Sequence, residues 1–143
     1  MKAFERLLKY AAIRTPSDEE SGTVPSSACQ FELAQHLYRE LFTMGITDVK
    51  MDTQCYLYAH IPATPGYEDR PKLGFIAHLD TVSDFCDHRI TPEIHEDYVR
   101  DELPLGTSGR VLSPDMFPHL KDLKGRTLIT SDGTTILGAD DKA

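Results

Sequence analysis

The sequence predicts an α/β domain in which helices flank a mixed, mostly parallel sheet. Two segments near the amino terminus carry apolar residues at helical spacing, and several short apolar or β-rich runs follow them. The most apolar run, 72–77, follows Pro71 and leads to polar Thr81, and it is typical of a strand buried on both faces. Strands buried on both faces are typical of parallel sheets, so this run favours an α/β fold with a mostly parallel sheet.

Two amphipathic helices are predicted before residue 46. The first ends before Pro16, whose ring disfavours a helical residue in front of it, and its apolar stripe contains Phe4, Leu7, Leu8, Ala11 and Ala12. The second begins at a capping box formed by Ser27 and Gln30 and ends at Gly45, which supplies a left-handed stop. Its buried stripe is predicted to contain Phe31, Ala34, Leu37, Tyr38, Leu41 and Phe42.

The remaining predicted elements are short strands. Residues 49–51 and 55–61 are expected to form an antiparallel pair at the edge of the sheet. Pro92 restricts any strand over 89–98 to an edge position. Residues 127–130 form another β-rich run, and the Asp132-Gly133 pair predicts a hairpin turn into a returning strand at 134–137.

Composition restricts the classes of partner and compartment. The 143 residues carry a formal net charge of −8, which argues against nucleic acid or an anionic membrane as a partner. No apolar stretch approaches the ~20 residues that a membrane span needs, and no apolar segment typical of a secretory signal follows the first residues. Cys29, Cys55 and Cys86 are widely spaced and form no C-x-x-C pair. We therefore expect a reduced, cytoplasmic protein.

The candidate site begins with His78 and Asp80, at the end of the predicted strand 72–77. Because strand side chains alternate, the two project to the same side if the extended conformation continues. Ligands collect outside the carboxyl ends of strands in open α/β sheets. The pair suits a metal ligand and the carboxylate that orients its imidazole. A buried histidine that is hydrogen-bonded to a neighbouring aspartate for structural reasons is the alternative.

A second candidate is Asp140, in the stretch TTILGADDKA at 134–143. A Gly-Ala pair allows a tight turn after the predicted returning strand, which would place Asp140 at another strand end, where a carboxylate can bridge two cations. A solvated loop or a helix N-cap is the ordinary explanation of such an aspartate pair. Asp84, Asp87 and His88 suggest a second metal site, although polar loops that leave a sheet are rich in such residues.

Together these stretches resemble the catalytic domain of the M20 family of zinc metallopeptidases. The similarity rests on HLDT at 78–81 and GADDKA at 138–143. It extends through YAAIRTPSDEESGTVPSS, ELAQHLYRELFTMGI, DELPLGTSGRVLSP and GRTLITSDGTTILGADDKA. It covers essentially the whole chain and is greatest for the members that remove the amino-terminal residue of tripeptides.

The resemblance implies two zinc ions in the active site of the complete enzyme and short peptides with a free amino terminus as substrates. His78 would be a ligand of one zinc, and Asp140 would be the carboxylate that bridges both. Asp80 would be the active-site carboxylate that orients the His78 ring. Imidazole and carboxylate sites also accept cobalt or manganese.

The family's general base and remaining metal ligands all follow the position of Ala143. We therefore expect residues 1–143 to be the amino-terminal portion of the catalytic domain, without the rest of that domain or the lid and dimerisation domain. Alone, it is expected to be inactive and to bind zinc weakly or not at all. An incomplete sheet would leave an unpaired edge, so a homo-oligomer is one expected state. Two alternatives are open: another M20 amidohydrolase, such as a deacylase or dipeptidase, and a non-catalytic binding domain that kept the fold.

Overall fold

The computed structural model describes residues 1–86, 88–99 and 101–139, and its strands pair only with antiparallel partners. The elements in chain order are α1 (Ala3–Ala11), α2 (Gln30–Thr43), β1 (Asp48–Met51), β2 (Leu57–His60), β3 (Pro92–His95), β4 (Leu103–Leu105), β5 (Arg110–Leu112), a 3-10 helix (Pro118–Leu123) and β6 (Leu128–Ser131). The pairs are β1–β2, β3–β6 and β4–β5. The α/β class is confirmed, but the prediction of a mostly parallel sheet is wrong. Between described residues, parallel pairing is limited to an isolated bridge from Pro16 to Thr81.

Both predicted helices are present. The backbone N–H of Lys2 donates to the Glu5 carboxylate at 2.7 Å, which satisfies one donor that would otherwise be unpaired at the start of α1. α2 is followed by Gly45 at a φ of +88°, the left-handed conformation predicted for it. The predicted capping box is wrong, because α2 begins without a side-chain cap and Gln30 donates to the carbonyl of Pro16 instead.

A polar cluster connects α1 to α2. Glu40 accepts a hydrogen bond from Arg6 Nε at 2.8 Å and another from the Tyr10 hydroxyl, and His36 Nε2 lies 3.9 Å from the same carboxylate. Burial, together with the hydrogen bond to Glu40, raises the pKa of Tyr10 to about 12. Burial opposes ionisation of Glu40 as well, but the hydrogen bonds from Tyr10 and Arg6 outweigh it and lower the pKa of Glu40. The cluster therefore holds a carboxylate charge between the two helices.

The predicted pair of strands at 49–51 and 55–61 is confirmed as β1 and β2. Asp48 pairs with His60 and Met51 with Leu57 across the hairpin. Val49 is buried, and β1 and β2 both contact α2. Most of β2 is exposed, and in the described part of the chain its outer edge has no further strand beside it.

The second half of the chain is built from β3–β6 and β4–β5 around a small apolar core. That core consists of Tyr98, Leu103 and Leu120, with Leu112, Leu123 and Leu128 packed against it. β3 is an edge strand, as Pro92 predicts, and β6 matches the β-rich run at 127–130. The predicted hairpin with a returning strand at 134–137 is wrong, because β6 pairs with β3. The Ser131 hydroxyl donates to the Thr135 carbonyl at 2.6 Å, so the chain makes a tight turn there.

The segment 72–77 is not a strand, which corrects the central element of the sequence prediction. It has no regular secondary structure, and Leu73, Phe75 and Ile76 are 81%, 89% and 102% exposed. An apolar pattern predicts burial, but a strand also needs a neighbouring backbone to share its hydrogen bonds. β1 and β2 pair with each other, and no strand of the described residues lies beside this segment.

Candidate metal centre

His78 and Asp80 lie together on an exposed arm, residues 78–80, that follows the segment 72–77. Their side chains are 58% and 42% exposed, and Nδ1 of His78 lies 3.0 Å from Oδ1 of Asp80. An ionised carboxylate can only accept a hydrogen bond, so Nδ1 of His78 is the donor. This bond makes Nε2 the ring nitrogen that would coordinate a metal. The two side chains are neighbours, as their spacing predicts, and their roles in metal binding stay predictions.

The arm is anchored at Thr81, the residue after Asp80. Thr81 is 1% exposed, and its backbone N–H donates to the Thr15 carbonyl at 2.9 Å. Its carbonyl accepts from the backbone N–H of Ser17 at 2.8 Å and from the Ser17 hydroxyl at 3.1 Å. An exposed pair of polar side chains is thus joined directly to a fully buried, hydrogen-bonded residue.

Two of the residues predicted for metal sites lie outside the described part of the chain. They are Asp140, the predicted bridging ligand, and Asp87 of the second-metal hypothesis. Over the ranges 1–86, 88–99 and 101–139, no three histidine, cysteine, aspartate or glutamate side chains are grouped closely enough to hold a metal ion. The part of the predicted zinc site that is described is therefore the His78–Asp80 pair.

The segments that flank the two motifs contact each other. The backbone N–H of Ile136 donates to the Phe85 carbonyl at 3.2 Å. Nearby, His88 Nε2 lies 3.0 Å from the hydroxyl of Thr134. Ile136 therefore lies beside Phe85, and Thr134 beside His88, so the chain before the second motif passes close to the chain after the first.

His88 belongs to a hydrogen-bonded series that the sequence did not reveal. Thr134 donates its hydroxyl to Asp132 Oδ1 at 2.6 Å and its backbone N–H to the same oxygen at 3.0 Å. Because a hydroxyl has one proton, Thr134 accepts from His88 Nε2. The hydrogen bonds from Thr134 lower the pKa of Asp132. His88 and Thr134 are 46 positions apart, so no local pattern could indicate their contact.

A cavity of about 620 Å³ opens beside the anchor at Thr81. It is lined by residues from the segments 14–20 and 82–86, together with Ser27. Asp18, Glu19, Glu20 and Asp84 contribute carboxylates, and Arg14 contributes a cation. The volume lies within the range of roughly 300–1,000 Å³ that is usual for sites of small ligands.

Comparison with known proteins gives the relatives of this chain. Peptidase T of Exiguobacterium sp. is 48% identical over 143 residues, which cover 99% of the chain and 34% of that protein. Peptidase T of Bacillus cereus strain B4264 is 46% identical over 140 residues, which cover 97% of the chain and 34% of that protein. The chain is therefore similar to peptidase T over nearly its whole length. Peptidase T of Bacillus mycoides, at 45% identity over 140 residues, agrees with this assignment.

The similarity to peptidase T covers the chain from end to end but only part of each relative. The chain spans about a third (34%) of the length of the curated relatives that it matches. These relatives are enzymes by name, as the sequence predicts. No family model matches the chain. The helices found in the described residues are all too short or too polar to cross a bilayer.

Proposed function

We propose that this chain is the amino-terminal part of the catalytic domain of a zinc-dependent aminopeptidase that releases the first residue of tripeptides. The observation that carries the proposal is the His78–Asp80 pair, joined at 3.0 Å on the surface of a homologue of peptidase T. The two zinc ions and the tripeptide substrate of this proposal are implied by the resemblance to the M20 family.

The proposal gives each described residue a defined task. His78 would bind zinc through Nε2, while Asp80 accepts from Nδ1 and so fixes the tautomer and raises the basicity of the ring. Asp140 would bridge the two ions. Bound zinc would polarise the scissile carbonyl and supply a nucleophilic water of lowered pKa.

Two further features support the proposal. Ile136 contacts Phe85 and Thr134 contacts His88, which brings the chain before one motif close to the chain after the other. The cavity beside Thr81 has the volume of a small-ligand site, and the carboxylates of Asp18, Glu19 and Asp84 would attract the protonated amino terminus of a peptide.

Metal content after dialysis and hydrolysis of a tripeptide test the proposal in the full-length protein. We expect His78→Ala to remove bound zinc and turnover. Asp80→Asn should weaken zinc binding by about 10- to 100-fold, because the ring loses its orienting carboxylate. His119→Ala is the matched control, since His119 is also exposed, and it should change neither quantity.

The same measurements on residues 1–143 alone are expected to give no turnover and weak zinc binding, because a zinc site needs three or four protein ligands. Tightly held stoichiometric zinc in that chain, or turnover that survives His78→Ala, would contradict the proposal. Hydrolysis of N-acylated amino acids without tripeptide hydrolysis would favour another M20 amidohydrolase. A folded full-length protein without either activity would favour a binding domain.

A further inference from the structure

The carbonyl of Thr81 is held by residues 15–17, and those residues are held in turn by α2. Gln30, at the start of α2, is 7% exposed and donates its Nε2 to the Pro16 carbonyl at 3.2 Å. The same nitrogen lies 3.2 Å from the hydroxyl of Ser26, which it also contacts as a donor. Gln30 therefore holds residues 15–17, which are hydrogen-bonded to Thr81, and connects them to α2.

Cys86 also contacts Thr81, and together with residues 15–17 it forms what we call the junction. It is 1% exposed, its carbonyl accepts from Arg14 Nε at 3.1 Å, and its Sγ lies 3.6 Å from Thr81 Oγ1. Thr15, whose carbonyl accepts from the backbone N–H of Thr81, is also fully buried. Buried polar groups that are hydrogen-bonded in this way resist displacement, because leaving any of them unpaired away from water is unfavourable.

The junction fixes the carboxyl-terminal end of the arm, whereas the segment before the arm is exposed. Residues 72–77 have no regular secondary structure and are exposed, whereas Thr81 follows Asp80 directly and is buried. The His78–Asp80 pair is therefore attached directly, at its carboxyl-terminal end, to a residue that is held in place.

We propose that Ser17 and Gln30 are positioning residues for the metal site. Ser17 donates its backbone N–H and its hydroxyl to the Thr81 carbonyl, and Gln30 donates to the Pro16 carbonyl. These hydrogen bonds hold His78 and Asp80 in one arrangement. The role in metal binding rests on the proposed function, whereas the restraint of the arm does not. Neither residue contacts a reacting atom; both act through the backbone at Thr81.

The test combines metal affinity with hydrogen–deuterium exchange in the full-length protein. Ser17→Ala should weaken Co²⁺ binding by about 3- to 10-fold, less than loss of a direct partner of the ligand. It should also speed amide exchange in a peptide covering residues 78–82. Gln30→Leu, which removes the amide donors at similar volume, should act in the same direction. Ser17→Thr keeps a hydroxyl, so its Co²⁺ affinity and its amide exchange at residues 78–82 should stay close to those of the original protein.

Ser21→Ala is the matched control, because Ser21 lies in the same loop and its hydroxyl contacts Thr23 rather than Thr81. It should leave Co²⁺ affinity and exchange unchanged. Unaltered exchange at 78–82 in both Ser17→Ala and Gln30→Leu would overturn the proposal whether or not metal binds. Faster exchange with unaltered Co²⁺ affinity would also overturn it, because the residues would then be merely structural. A parent protein that binds no Co²⁺ would refute the proposed function, and exchange alone would then decide whether the arm is restrained.

Discussion

Tyr10 has a side chain whose protonation state depends strongly on the folded structure. Its hydroxyl donates to Glu40 across the contact of α1 with α2. Burial and this bond raise its pKa from the ordinary tyrosine value of 10.0 to about 12. The folded state therefore favours the protonated phenol. The contribution of Tyr10 to stability is complete below pH ~10 and is lost as the pH rises towards 12.

Tyr10→Phe should reveal this pH dependence. At pH 7 we expect the variant to lose about 1 kcal/mol of unfolding free energy, because the hydrogen bond to Glu40 is absent. The difference between the two proteins should narrow between about pH 10 and pH 12, as the unfolded state of the original protein ionises Tyr10. Urea denaturation at a series of pH values measures both effects.

Tyr67→Phe provides the comparison for this experiment. Tyr67 is exposed and stacks with the Arg70 guanidinium 5.9 Å from its ring centre, a contact that phenylalanine retains. Its effect on the free energy of unfolding should be small. A Tyr10→Phe difference that stays constant from pH 7 to pH 11 would show that the phenol does not titrate differently in the two states.

At the scale of one or two residues, the sequence is informative only where the partners are close in the chain. The contact of His78 with Asp80 follows from side-chain alternation, because the residues are two positions apart. The hydrogen bonds that Thr81 accepts from Ser17 and donates to the Thr15 carbonyl join residues more than 60 positions apart. The type of residue at either end does not specify such a contact, since serine and threonine hydrogen-bond in most environments.

Turns connect and space the strand pairs, and two glycines illustrate different constraints on them. Gly133 follows β6 with a φ of +80°, and a Cβ there would lie 2.3 Å from Ser108 Oγ and 2.8 Å from Leu105 Cβ. The β4–β5 turn thus packs directly against the turn after β6. Gly45 has a φ of +88° after α2, but its Cβ position faces open space. Gly133 is constrained by both conformation and packing, and Gly45 by conformation alone.

Alanine substitutions should separate these constraints. We expect Gly45→Ala to lower the free energy of unfolding by about 1 kcal/mol, the cost of a left-handed backbone. Gly133→Ala should cost about 2–4 kcal/mol, because Ser108 would also have to move, and its hydroxyl is bound to the Leu105 carbonyl. Chemical denaturation followed by circular dichroism gives these values.

Gly22→Ala is the control, because Gly22 has neither a positive φ nor an atom within 4 Å of the added Cβ. Its effect should stay within about 0.5 kcal/mol. Equal losses in Gly45→Ala and Gly133→Ala would mean that the two turns do not pack against each other in solution.

The elements that the sequence predicts well are those that local interactions determine. α1 and α2 follow from a 3.6-residue period, and β1–β2 follows from a short connection. β3 and β6 are separated by more than 30 residues, and neither shows which partner it will take. The β4–β5 pair was not predicted, since LPL and RVL are too short to give a clear pattern. The segment 72–77 has the composition of a buried strand but no strand to pair with.

The surface area of the whole molecule is large for its mass. The chain exposes 10172 Å², whereas a compact monomer of 16.0 kDa exposes about 7,400 Å². Leu73, Phe75 and Ile76 contribute to the excess, and they adjoin the exposed arm that carries His78. Contiguous apolar surface of this kind favours contacts with other protein chains.

We therefore expect residues 1–143 to self-associate through the segment 72–77. Sedimentation velocity at micromolar concentrations should show dimers or larger species, and Ile76→Asp should shift the distribution towards monomer, because a charge is costly to bury. Met116→Asp is the control, since Met116 is 70% exposed in a different part of the chain. A monomer at every concentration, or equal effects of both substitutions, would contradict this prediction.

The bond from Ser17 to Thr81 closes a loop of 64 positions, which has a consequence for how the arm is assembled. Closing a loop of that length costs roughly 4 kcal/mol of chain entropy, while three hydrogen bonds return only about 1 kcal/mol each. Closing the loop is favourable only when the free energy of burying Thr15 and Thr81 is added to that of the hydrogen bonds. The residues that bury them therefore have to be folded first. We expect the helices, which depend on local contacts, to form early in folding and His78 and Asp80 to take their places late.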